Sequence, residues 1–195
     1  MSGAPDASAN ILYLAGAVAC VKRAGAVAAP GSDAAPEIAL PQPDAPVVTL
    51  LGNGLCVVYL VEEGEHLAFV QNRRLDGVVG GAKALHAVGL ANLSKLAEAK
   101  LRMRPYGDVT GLFLDGLFEA SLILLDDLWD GPLAAQAPNG PVVALPTRDV
   151  LAFCDARSAP GIEALRALAA RTVTTGDHVI TDTLYRRQDG QWRPL

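Results

Sequence analysis

The chain is poor in the residues that carry most protein chemistry. It has three cysteines and three histidines in 195 residues, and aromatic side chains make up 5% of it. Cys20, Cys56 and Cys154 lie far apart, form no C-x-x-C pair and stand at no metal-ligand spacing from His66, His86 or His178. That leaves no structural zinc site and predicts three buried, reduced thiols in a cytosolic protein. A basic excess is also missing: the net charge is −5 and the pI about 5.1. This argues against a nucleic-acid footprint. No glycine-rich phosphate loop and no G-x-S-x-G elbow occurs, which removes the commonest nucleotide and serine-hydrolase signatures.

Long hydrophobic runs are scarce too. Ile11–Val21 is an apolar stretch of eleven residues, short of the roughly 20 that a membrane-spanning helix needs. Lys22-Arg23 follow it and no basic residue precedes it, the reverse of a signal peptide's order. Ile11, Leu14, Val18 and Val21 share one helical face, so the run reads as a soluble helix with Ser8 or Asn10 as N-cap.

What is present is apolar aliphatic bulk. Hydrophobic residues make up 51% and charged residues 19%, enough for one domain over residues 1–195 with Leu, Val and Ala filling the core. Pro30, Pro36, Pro41, Pro43 and Pro46 crowd one segment; with the N-terminal helix it forms a proline-rich edge region over 8–46, with short strands at Ala24–Ala28 and Glu37–Leu40. Strands follow at Val47–Leu51, Leu55–Val61 and His66–Val70, the last two joined by a hairpin loop at 62–65. Gly81–Ala99 has Leu85, Val88, Leu93 and Leu96 at helical spacing, and Gly89 inside it marks a close packing contact.

Beyond that helix, Lys100–Arg104 alternates charged and apolar residues, a strand with one basic and one buried face. Val109–Leu114 is another strand. Leu117–Trp129 is apolar nearly all round and reads as a central helix begun by Asp115-Gly116. Val142–Leu145 and Val150–Cys154 are buried strands. Ser158 and Pro160 open a last helix to about Arg171. Val179–Arg187 and Gln191–Arg193 flank Asp189-Gly190, a hairpin signal. Strands and helices interleave without a βαβ period, so the class is α+β: a mixed or largely antiparallel sheet packed against three to four helices.

Several segments, Leu50-Leu-Gly-Asn-Gly-Leu55 before Tyr59, Ala91-Asn-Leu-Ser-Lys-Leu96, Leu114-Asp-Gly-Leu-Phe-Glu-Ala-Ser121, Val142–Leu151 and Thr183-Leu-Tyr185 with Gly190-Gln-Trp192, occur in an order that resembles the YtpQ-like family of bacterial proteins. The resemblance covers roughly 47–195. It implies a single intracellular domain and brings no reaction, cofactor or catalytic residue with it.

The candidate ligand-binding residues are Asp115, Ser121, Asp126, Asp127, Arg148 and Asp149. Asp126, Asp127 and Asp130 fall at the C-terminal end of the expected helix, where the macrodipole disfavours negative charge. Arg148 is therefore expected to pair with one of them or with Asp149, or else to grip an anion in a bidentate fork. Adjacent aspartates on a helix diverge by about 100° and chelate poorly, so no metal is expected. Ser121 has no nucleophile elbow, and a mid-helix serine bonds back to a carbonyl. Lys100, Arg102 and Arg104 form a solvated basic face with only Tyr106 nearby as an aromatic platform. The leading expectation is a cytoplasmic, non-catalytic binding domain with a protein partner and no cofactor, nucleic acid or membrane. The alternative is a hydrolase or transferase acting on a small anionic ligand through Arg148 and nearby carboxylates. A flat apolar patch favours the first; a deep pocket gathering those polar groups favours the second.

Overall fold

The computed structural model describes residues 7–25 and 42–195. The architecture is α+β with antiparallel strand pairing, and the described strands fall into two sheets. The backbone gathers into two compact units, Met1–Leu93 and Ser94–Leu195, with the boundary inside helix α2 (Gly81–Lys100).

In the first unit, helix α1 spans Ala7–Leu14, and strand β1 follows at Val18–Arg23. The helix expected over Ile11–Val21 thus stops halfway, after a turn at Ala15-Gly16. The reason is pairing: Val18–Arg23 runs antiparallel to β3 (Leu55–Glu63), with Val18 opposite Leu60 and Arg23 opposite Leu55. A run apolar at nearly every position can be buried as helix or strand, and the neighbouring strand decides. β2 (Thr49–Gly52) and β4 (His66–Phe69) pair with the other edge of β3. The Ala24–Ala28 and Glu37–Leu40 strands lie in or run into residues 26–41, outside the described residues; Ala24 and Gly25 form a turn.

Gly89 does mark a close contact. A Cβ there would lie 3.1 Å from the Ala19 amide nitrogen and 3.1 Å from the Tyr59 ring. Asn92, one turn on, donates its side-chain amide to the Ala15 and Ala17 carbonyls. These contacts seat α2 on the turn between α1 and β1. Tyr59, fully buried, shares its hydroxyl with Thr49 Oγ1 at 2.8 Å and His86 Nδ1 at 2.9 Å.

The second unit is built on a six-stranded sheet in the order β10-β9-β7-β8-β6-β5. Its strands are β5 (Arg102–Tyr106), β6 (Val109–Phe113), β7 (Pro141–Ala144), β8 (Leu151–Asp155), β9 (Leu184–Gln188) and β10 (Gln191–Pro194). Period-two alternation gives each strand two faces. On one, Val109, Val142, Ala144, Ala152, Cys154 and Leu184 pack under Leu165 and Ala169 of helix α4 (Ala159–Thr175). Ser158 caps α4 as its sequence signalled, its hydroxyl accepting from the Gly161 amide at 3.0 Å. Gly161 lies against Cys154 and Gly176 against Thr147, so α4 runs antiparallel to β8. β5 departs from expectation: all five residues are exposed, and no face of it is buried.

The opposite face carries Val143, Phe153 and Tyr185, all buried. It is covered by the segment after β6, where the expected helix over Leu117–Trp129 does not form. Ala120–Leu124 is a 3-10 turn, Leu125 breaks the helical path at φ −91°, ψ 87°, and helix α3 spans only Asp126–Asp130. Buried Glu119 accepts from the Leu114 and Gly116 amides at 2.9 and 2.7 Å, and Trp129 Nε1 donates to the Leu122 carbonyl at 2.8 Å. The indole bond occupies a carbonyl that a continuous helix would have paired internally, and the Glu119 carboxylate holds the turn that precedes the segment. Val143 and Leu151 are buried as expected, while Leu124 and Leu128 are half-exposed.

Candidate functional site

The structure does not gather the six nominated residues. Asp115 caps a local turn, accepting from the Leu117 amide at 3.1 Å. Ser121 is buried inside the 3-10 turn, 1% exposed, and presents no face to a substrate. Asp126 and Asp127 begin helix α3 and do not end a longer one, so they sit in its first turn, where the macrodipole favours them. The Arg148 carbonyl accepts from the Ala120 amide, but no ion pair joins its guanidinium to a described carboxylate.

The cation that answers the acidic segment is Arg187, from the other end of the chain. Its Nε and Nη2 bond Asp130 in a fork at 3.1 and 2.7 Å, and Nη1 reaches Asp126 at 2.8 Å. Strand β9 delivers it: Arg187 stands two residues after Tyr185 on the same face and is 6% exposed. Trp192, opposite it on β10, lies 5.6 Å from the guanidinium and packs edge-on to Trp129 at 5.0 Å. The fork holds the Asp130 carboxyl below the usual aspartate range. Asp126 and Asp130 are therefore an anchor for α3. Among the described residues no three His, Cys, Asp or Glu side chains converge as metal ligands would.

A concave feature of this unit lies elsewhere, on the α4 face of the sheet beside β5. It is a pocket of about 460 Å³, within the roughly 300–1,000 Å³ range of small-molecule sites. Gly111 and Ala152, paired across β6 and β8, form its floor. Phe113 and Tyr106 wall one side, Ala164 and Leu168 of α4 the other. Gly111 is what opens it: a Cβ there would lie 3.0 Å from the Phe113 ring and 3.3 Å from the Tyr106 ring. Asp149 and Arg171 contribute the charged part of the lining. Arg104 stacks on Phe113 from β5, 5.7 Å from the ring centroid.

Of the residues nominated from sequence, only Asp149 lines this pocket. The signal for the rest was a lone glycine inside a strand, which points to a close approach. Tyr106 stood out only as an aromatic beside the basic strand, and Phe113 and Arg171 carried no mark of their own. The histidines are dispersed: His66 and His178 are exposed, and His86 belongs to the Tyr59 hydrogen-bond pair. Burial, with Asp155 and Asp108 nearby, pushes the Cys154 thiol up to about 11, and burial raises Cys56 as well. Both are therefore held as thiols. Among the described residues no helix is long and apolar enough to cross a membrane. No family model, no curated protein and no solved structure matches the chain.

Proposed function

We propose that this protein is a non-catalytic binding domain whose ligand inserts an apolar group into the pocket between α4 and strands β6 and β8. The observation that supports the reading is the arrangement of the lining: small and apolar residues make the floor and walls, and the charged side chains sit exposed around them. Ligand sites typically bury an apolar body and use a few polar groups to fix orientation. The enzyme reading called for Arg148, Asp149, Asp115 and Asp126 around one cavity, and of these the pocket lining contains Asp149 alone. Docking of a partner by strand addition at β5 has less support. Pro105 interrupts that edge with a residue that donates no hydrogen bond.

The test is chemical-shift mapping with 3-phenylpropan-1-ol, a neutral probe with an apolar body. The expected result is perturbation of the Gly111, Phe113, Ala152 and Leu168 amides, lost in A164W, whose indole fills the cavity. Shifts confined to other surfaces, or unchanged in a folded A164W protein, would overturn the reading.

A further inference from the structure

Resting on that pocket, we propose that its ligand is a free α-amino acid with a large apolar side chain. The argument is the polarity of the pocket along its length. Gly111 pairs with Ala152 and Leu112 with Leu151, so Asp149 lies at the Phe113 end of the floor, away from Val109. Helix α4 runs antiparallel to β8, from Gly161 beside Cys154 to Gly176 beside Thr147. Arg171, little more than one turn before Gly176, therefore stands at the same end as Asp149. One end of the pocket thus carries both an acid and a base, and the rest is apolar.

Neither charge is paired with another described side chain. No ion pair joins Asp149 or Arg171 to the other or to any described residue, although both line one cavity. A purely anionic amphiphile would meet Arg171 and be opposed by Asp149; a purely cationic one would meet the reverse. An α-amino acid presents an ammonium and a carboxylate on one carbon. It can donate to Asp149 and accept the Arg171 guanidinium as a fork while its side chain lies over Gly111 and Ala152.

The test titrates the full-length chain, by calorimetry and amide shifts, with four probes that share a phenyl body: L-phenylalanine, 3-phenylpropionate, 2-phenylethylammonium and 3-phenylpropan-1-ol. Exposed charge pairs contribute up to about 1 kcal/mol, or about fivefold in affinity, each. L-phenylalanine is expected to bind up to about fivefold tighter than either singly charged probe. D149N should abolish its advantage over 3-phenylpropionate, and R171Q its advantage over 2-phenylethylammonium. Both positions are exposed, so both variants should keep the wild-type urea midpoint. If either singly charged probe binds as tightly as L-phenylalanine, the amino-acid assignment is overturned. If the neutral alcohol alone binds, the assignment falls and the apolar pocket stands. If none of the four moves the pocket amides, the pocket reading falls as well.

Discussion

Replacing Arg187 with alanine removes the side chain whose hydrogen bonds tie α3 to the terminal hairpin, and the structure sets the size of the effect. Three charge-assisted hydrogen bonds are lost, two in a fork on Asp130 and one on Asp126, together with packing against Trp192. Breaking a fully buried pair costs about 3–5 kcal/mol, and breaking an exposed one about 0.2–1. Arg187 is buried, but the side chains of Asp126 and Asp130 are 69% and 64% exposed. Once released, both carboxylates rehydrate, so no stranded charge adds to the loss. The expected cost is about 2–3 kcal/mol, between the two limits. Arg187→Met keeps most of the aliphatic stem, so the difference between the variants separates packing from charge. Urea unfolding followed by tryptophan fluorescence is the natural assay, since the chain's two tryptophans, Trp129 and Trp192, both belong to this cluster. With a slope of about 1–3 kcal/mol/M, the midpoint should fall by roughly 0.7–3 M. A shift below about 0.3 M in R187A would refute the claim that this anchor holds the segment in place.

Three further outcomes follow from the same geometry. Asp130 titrates below its ordinary value because Arg187 hydrogen-bonds its carboxylate; its contribution is complete above about pH 4 and is lost as pH falls through the depressed native value. An acid series of urea midpoints should show that loss in the wild type and a flatter limb in R187M. Gly89→Ala gains about 1 kcal/mol of helix propensity, yet its Cβ would press on the Ala19 backbone and the Tyr59 ring. Overpacking there should win, giving a net destabilisation of about 1 kcal/mol; a raised urea midpoint would contradict it. Cys20, Cys56 and Cys154 are each at most 2% exposed and unbridged, so a thiol reagent should modify none rapidly in the native protein and all three in denaturant. Rapid native labelling of any one would show that its cover opens.

Much of the local structure was legible because local rules decide it. The α4 boundary was visible in Ser158 and Pro160, a hydroxyl cap before a residue that needs no amide partner. Asp189-Gly190 marked the last hairpin, with Asp189 and Gly190 both at positive φ. Gly89 in a helix implied a neighbour too close for a methyl group, and Ala19 is that neighbour. In each case a backbone requirement within a few residues selects the amino acid.

Tertiary structure decided the rest. Ile11–Val21 is apolar throughout and Leu117–Trp129 largely so, and hydrophobicity without a period records burial but not shape. Pairing with β3 turned the first into half a strand. Buried Glu119 and the Trp129 indole bond tied the second into a 3-10 turn and a short helix. The partner of the acidic segment could not be found nearby, because Arg187 lies 61 residues from Asp126 and 57 from Asp130. The pocket was equally hidden: Gly111, Ala152, Leu168 and Arg171 come from three elements that meet only when α4 crosses the sheet. Composition and local spacing determined which runs supply most of the core and where much of the chain turns. Which side chains face one another is a property of strand register and helix direction, and these arise only from the long-range contacts of the folded chain.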